Sequence, residues 1–318
     1  MANGIHTLKK IFFIIFVLTI FCVSATGVQS AEIRVENGRP IQAAIDRAQN
    51  GDVVLVEDGV YSGAGNVNLS FRGKSITVRS QNGPDDCIIL GTTPGTRAFM
   101  FRYRERPEAV LSGFTIKGFS NYTMAYGGAI YIYYSSPTIE NCIIRNNTSG
   151  YGAAIAVVGG SPLIQNCMIF GNYADYLAGG ILLYYGSYTR IINCTISGNQ
   201  AGYYRGTGVY ARSVYQAMLI NSIVWGNGID EIEAPFGVLV MNCNVRGGYP
   251  GSGNFSLNPE FVDDDPSFDA QGDYRLNADS PCIDRGLWVY APDTDIDGQS
   301  RLQDAAPDIG ADEWVAAP

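Results

Sequence analysis

Near its carboxyl end the chain reads DTDIDG, placing Asp293, Asp295 and Asp297 at alternate positions before Gly298. A calcium loop opens with this spacing, because hard oxygen donors then turn toward one cation around a glycine bend. A loop of about twelve residues counted from Asp293 ends on Asp304 and not on a bidentate Glu, and no helical pattern flanks it. An EF-hand is therefore excluded, and two readings stay open: a looser calcium loop at Asp293, Asp295 and Asp297 that stiffens this end, or acids, Asp308, Asp312 and Glu313 among them, that serve charge repulsion and solubility. Elsewhere acids are too sparse for paired-carboxylate chemistry. Between Val110 and Gly228 only Glu140 and Asp175 occur; one is an outward strand position and one is in a loop, so they do not flank a single bond. Past residue 30 there is no histidine, and the only lysines are Lys74 and Lys117. A histidine base and a histidine-rich metal site are excluded.

What the chain has in quantity is tyrosine, 20 residues of it, interleaved with arginine. Arg102, Arg104, Tyr131, Tyr133, Tyr184, Tyr210 and Arg212 recur along its middle, with Arg205 and further tyrosines (Tyr126, Tyr151, Tyr176, Tyr203, Tyr204) just ahead of the same stretches. Flat aromatic faces stack on the apolar side of sugar rings, and guanidinium forks grip carboxylate or sulfate. The bland alternative is that Tyr and Arg simply suit an exposed strand. The two readings part on whether the fold sets these residues in a row.

An internal repeat supplies the row. SPTIENCIIRNN (136–147) returns as SPLIQNCMIFGN (161–172) and, more loosely, as YTRIINCTISGN (188–199). Its anchor is Asn141, Asn166, Asn193, Asn221 and Asn242, with Gly113 and Asp86 in the same place upstream. Asn, Asp and Gly enter the left-handed backbone region most cheaply, so the anchor reads as a one-residue corner. Apolar residues lie two before it (Ile139, Ile164, Ile191, Leu219, Val240) and three after it (Ile116, Ile144, Ile169, Ile196, Val224, Val245). This period of two marks strands buried on one face. A second start, Ile130, Ile155, Ile181 and Val209, follows small residues and opens another strand.

Three short strands per repeat, stacked about 4.8 Å apart, predict an all-β parallel β-helix: a three-sheet solenoid over 31–256 with a row of hydrogen-bonded Asn side chains. Placing Phe101 opposite Ile130 sets out two exposed columns. One reads Arg102, Tyr131, Ala156, Leu182, Tyr210; the other reads Arg104, Tyr133, Val158, Tyr184, Arg212. The cysteine column Cys87, Cys142, Cys167, Cys194, Cys243 reads as buried free thiols. Both open ends need covers. Residues 39–50 predict an N-terminal capping helix with Ile41, Ala44, Ile45 and Ala48 on one stripe, and 257–318 an irregular acidic C-terminal cap.

Charge and targeting signals fit an exported protein. Lys9 and Lys10 precede the apolar run IFFIIFVLTIFCVSA, which reads as a cleaved signal peptide over 1–30, too short for a membrane span; no later segment could span a bilayer. From Leu257 onward fifteen acids face three arginines, leaving the body nearly neutral. With no dense basic footprint, nucleic acid is not an expected partner.

The repeat resembles bacterial right-handed parallel β-helix proteins, a scaffold that includes pectate lyases, chondroitinase-like lyases and non-catalytic surface proteins. IQAAIDRAQNGDVVLVEDGVYSG is similar to that family's opening cap. YRLNADSPCIDRG and DTDIDGQSRLQDAAPDIGADEW resemble the choice-of-anchor Q domain of exported β-helix proteins. The resemblance implies fold and export, and three functions remain open: binding of an acidic polysaccharide or cell-surface polymer, a polysaccharide lyase or glycoside hydrolase, and a structural or adhesive module. For a lyase, Lys117 and Arg145 form an outward basic pair, but no acidic cluster for calcium accompanies them in the sequence.

Overall fold

The computed structural model describes residues 30–121, 125–202, 207–228, 230–264, 272–302 and 305–316. All but Ser30 of the expected signal peptide falls outside them, as do Tyr203, Tyr204, Arg205 and Asp304.

Left-handed corners shape each coil. Asn141, Asn166, Asn193, Asn221 and Asn242 have φ of 51°, 48°, 48°, 50° and 47°, and Gly113 has 79°. In the Asn141 coil the corner joins Thr138–Glu140 to Ile143–Arg145. Asp86 departs from expectation and is not among the left-handed residues. There a longer loop, bent at Gly83 (φ 103°), joins Thr77–Ser80 to Cys87–Leu90.

Successive coils pair strand upon strand in parallel, so Ile139 lies between Leu111 and Ile164. The solenoid has three main sheets, of nine, eight and six strands. A short fourth sheet is added by Thr148–Tyr151, Tyr173–Leu177 and Gln200–Ala201. Both inward columns are fully buried, and the cysteines between them are buried free thiols. Burial pushes Cys87 and Cys243 up to about 12, so they are inert fillers. Each buried Ile or Leu contributes on the order of 1.5–3 kcal/mol.

The first coil is covered by a helix, Ile41–Arg47, that buries Ile41, Ala44 and Ile45. Pro40 offers no side-chain cap; instead Asn66 Oδ1 accepts from the Ile41 amide at 2.9 Å. At the other end Lys74 Nζ donates to the carbonyls of Ile45, Asp46 and Ala48 at 2.8–2.9 Å, where a cation also suits the helix dipole.

The last coil is closed mainly by residues 249–256: Asn254 Oδ1 accepts from the Cys243 amide, and Phe255 exchanges backbone bonds with Cys243 and Val245. The acidic segment starts against that coil, where Asn244 Nδ2 donates to the Leu257 carbonyl and Asn242 Nδ2 to that of Arg285. It runs back along the flank of the eight-stranded sheet as far as Asp85, which pairs with Arg275 at 3.0 Å. The physical reason is an apolar outer face. Ile143, Met168, Phe170 and Ile223 point outward there, and Phe261, Tyr274, Leu276, Ile296 and Ile309 bury them.

The anchor asparagines consequently serve two purposes. Asn166 donates to Asn141 Oδ1 at 3.1 Å and Asn221 to Asn193 Oδ1 at 3.2 Å. Between these rungs the row opens toward the acidic segment: Asn166 donates to the Thr294 carbonyl, and Asn193 to those of Asp308 and Gly310. A second, unbroken ladder stands at the next corner. Asn147, Asn172, Asn199 and Asn227 are each 0% exposed. Each side-chain amide donates to the next Asn Oδ1 at 2.8–3.0 Å, and Glu231 ends the series by accepting from Asn227 Nδ2 at 2.7 Å.

Candidate functional site

The outer face of the six-stranded sheet is where the tyrosines gather. Phe99–Phe101, Ile130–Tyr133, Ile155–Val158, Ile181–Tyr184, Val209–Arg212 and Ile232–Glu233 stack there in register. The first outward column reads Met100, Tyr131, Ala156, Leu182, Tyr210, Glu233. The second contains Tyr133, Val158, Tyr184 and Arg212.

Two expectations about these columns need correction. Phe99, not Phe101, lies opposite Ile130, so the first coil shifts by two residues. Arg102 therefore comes directly after Phe101, the residue paired with Ile132, at the next outward position of that strand's register, and Arg104 falls in the following turn with φ 59°. Both phenylalanines are buried, so alternation alone could not choose between them. The second correction concerns exposure. Tyr210 is only 7% exposed and Leu182 1%, because the short sheet ahead of these strands folds over the first column and makes an outer apolar cluster with Tyr126, Tyr131, Tyr151 and Tyr184.

The covering sheet carries a tyrosine stack. Tyr126, Tyr151 and Tyr176 lie face to face at 5.0 and 5.1 Å, repeating with the coils. Their faces are spent on one another, so hydroxyls and ring edges are what they offer. Half-buried Arg97 pins the head of the stack, donating to the Tyr126 and Gly127 carbonyls at 2.9 and 2.8 Å with its guanidinium 5.4 Å from the Tyr131 ring. Burial, with phenol neighbours adding, pushes Tyr126, Tyr131 and Tyr184 up. All three stay protonated as hydrogen-bond donors.

Free aromatic faces occur one position further on, at the corner leaving the sheet. Tyr134, Gly159, Tyr185 and Ser213 follow the four strands and are all left-handed, with φ of 43°, 75°, 51° and 57°. A bulky residue in that region is strained, at about 1–3 kcal/mol each. Tyr134 and Tyr185 are 55% and 56% exposed. Each stands edge-on to its neighbour, Tyr133–Tyr134 at 4.7 Å and Tyr184–Tyr185 at 4.3 Å. The Tyr134 ring lies against Gly159, where a Cβ would come within 2.8 Å of it. Sequence reading missed this corner, although the doublets Tyr133-Tyr134 and Tyr184-Tyr185 were its signal.

The acidic segment gathers a different trio from the one expected. One carboxylate oxygen each from Asp295, Asp297 and Asp312 lies within 4.8 Å of the others; Asp293 is exposed and outside the group. Asp295 is committed to the turn, accepting from the amides of Asp297, Gln299 and Glu313 at 2.7–3.0 Å. Asp297 is held by Arg275 through two bonds of 2.7 and 2.9 Å. Burial, then the Asp295 and Asp297 charges, pushes Asp312 up to about 7. The donors are hard oxygens as calcium requires, and Arg275 already supplies a positive charge beside them.

Lys117 and Arg145 lie in register on the eight-stranded sheet, as the spacing predicted. Burial first, and Arg145 second, lowers Lys117. Arg145 lines a cleft of about 270 Å³ under the acidic segment with Asp85, Thr115, Asp273 and Arg275. Asp85 and Asp273 are acids that the linear sequence kept far from the basic pair, but both are bound by Arg275 at 3.0 and 3.2 Å.

Residues 104–246 match a family model described as right handed beta helix region. No curated protein matches the chain. Among solved structures it is similar to the pectate lyase Pel9A, at 16% identity over 90% of this chain and 97% of that one, with a TM-score of 0.48. A mannuronic acid specific polysaccharide family 6 lyase from human gut microbiota is similar at 15% identity, covering 68% and 54% of the two chains, with a TM-score of 0.46. A PL6 family alginate lyase follows at 12% identity, 78% and 55% coverage and a TM-score of 0.23. Likeness this distant carries nothing about activity.

Proposed function

We propose that this chain is an exported β-solenoid that binds an acidic polysaccharide along the outer face of its six-stranded sheet and does not cleave it. The observation that carries the reading is the repeated aromatic corner, Tyr133–Tyr134 and Tyr184–Tyr185, whose corner members Tyr134 and Tyr185 are exposed and strained on alternate coils, with Arg212 next along the column after Tyr184. Strain of this kind persists where the surroundings hold it, and it clusters at ligand clamps. On the three central strands the outward positions Tyr131, Tyr133, Ala156, Val158, Leu182 and Tyr184 include no acid or base, which supports binding over proton transfer at this face. The acidic segment is read as a surface-display module of the choice-of-anchor kind, stiffened by calcium at Asp295, Asp297 and Asp312.

Affinity electrophoresis against acidic and neutral polysaccharides, with absorbance of unsaturated uronic products followed in parallel, tests the reading. Retention without product is expected, and Tyr133→Ala should weaken it about tenfold or more, in the range of a lost stacking contact. Product formation, or retention untouched by Tyr133→Ala, would sink it.

A further inference from the structure

We infer that the ligand is a glycan of sparse charge, about one anionic sugar in four, and not a polyuronate charged at every residue; this rests on the binding reading above. The cations of the second column stand at its two ends. Arg102 follows Phe101, which pairs with Ile132, and Arg212 pairs with Tyr184; carrying the register one residue on sets Tyr133, Val158 and Tyr184 between the two arginines, four coil spacings, or roughly 19 Å at about 4.8 Å per coil. Both are exposed, and neither has an ion-pair partner among the described residues. Arg102 leans over the Tyr103 ring at 5.4 Å.

Between the two arginines the three neighbouring rows are uncharged. The second column presents Tyr133 and Tyr184 with buried Val158 between them, and the corner row Tyr134 and Tyr185 with Gly159 between them, while Ala156 and Leu182 of the first column lie buried beneath the short covering sheet. A carboxylate laid against the Tyr133, Tyr134, Tyr184 or Tyr185 ring, between the two arginines, gives up its water with no cation in these two rows to receive it. A neutral sugar loses only hydroxyl hydration, and the phenols can return those hydrogen bonds. The two edge-to-face tyrosine pairs stand two coils apart, with small Val158 and Gly159 between them. A chain running along the axis, advancing about one sugar per coil, rests neutral rings on this stretch and meets a guanidinium at either end. Glu233, next after Tyr210 in the first column, disfavours further negative charge beyond Arg212.

The probes are oligosaccharides of equal length that differ in charge spacing: from gellan, with glucuronate at every fourth residue, from hyaluronan, at every second, and from polygalacturonate, at every one. Calorimetric titration of the full chain should rank them in that order, with oligogalacturonate about tenfold weaker than the gellan fragment. The double variant Arg102→Ala/Arg212→Ala, folded by circular dichroism, should lose the preference for the gellan fragment over a neutral glucan of the same length. Oligogalacturonate binding as tight as the gellan fragment, and abolished by Tyr133→Ala, overturns the sparse-charge inference and leaves the binding reading standing. No binding by any of the four, or binding indifferent to Tyr133→Ala, overturns the binding reading itself.

Discussion

Two outer faces of one solenoid are built by the same rule and treated oppositely. The eight-stranded sheet turns Ile143, Met168, Phe170 and Ile223 outward, and the chain folds its own acidic segment over them. The six-stranded sheet turns tyrosines outward, and beyond the short covering sheet it leaves Tyr133, Tyr134 and Tyr185 at the surface. The difference lies in the tip of the side chain. Aliphatic groups gain only by leaving water, whereas a phenol keeps one polar end wet while its ring is covered. A face of the first kind needs a permanent cover, and a face of the second can stay open for a partner.

The largest effect that would test this contrast is expected at Arg301, which is 0% exposed and clamps the covered face. It pairs with Glu313 at 2.8 Å, donates to the Gly310 and Ala311 carbonyls, and reaches Asn166 Oδ1 at 3.2 Å. Arg301→Met should destabilise the chain by about 3–5 kcal/mol by leaving a buried carboxylate unpaired, read as a denaturation midpoint. Glycan retention by the six-stranded face should survive in the folded fraction.

A smaller effect is expected from pH. Burial pushes Asp308 up to about 6, and Asp312 and Glu313 to about 7. These groups hold protons in the folded chain that the unfolded chain releases near pH 4. Their contribution to stability is therefore full in acid, falls as pH rises through about 4 to 7, and is gone above the folded values. Tm should decline over that window, and calcium should restore part of the loss at pH 8. A Tm at pH 8 that neither calcium nor EDTA moves would remove calcium from this segment.

The smallest effect concerns the open face. Tyr134→Gly should raise stability by up to about 1 kcal/mol, because glycine enters the φ of 43° without strain. It should weaken glycan binding at the same time. A variant both stabler and poorer at binding would show that the strain serves the partner and not the fold.

Legibility in the sequence followed chemistry that repeats. The anchor Asn, the inward Ile and Val columns and the cysteine filler could all be read, because each coil restates them. Register in the Phe99–Phe101 coil could not, since two inward phenylalanines satisfy alternation equally well. The second ladder was written at the last residue of each repeat, Asn147, Asn172 and Asn199, yet an Asn that ends a motif looks like a turn residue until its burial is known. The acidic segment has no period to align. That it lies along the flank, and that Asp312 replaces Asp293 beside Asp295 and Asp297, depends on contacts between residues far apart in the chain. For the same reason, the Tyr and Arg types were legible while their exposure was not.

Glu231 has a role that concerns length. Every rung of the second ladder is an amide that both receives and gives, so the series has a direction and no reason of its own to stop. The Glu231 carboxyl group accepts here from the amides of Gly226 and Asn227 and from Asn227 Nδ2, and it carries no amide N–H to hand on. One oxygen in place of a nitrogen thus acts as a terminator for this row, while the strands Val238–Met241 and Asn244–Val245 carry the solenoid one step further.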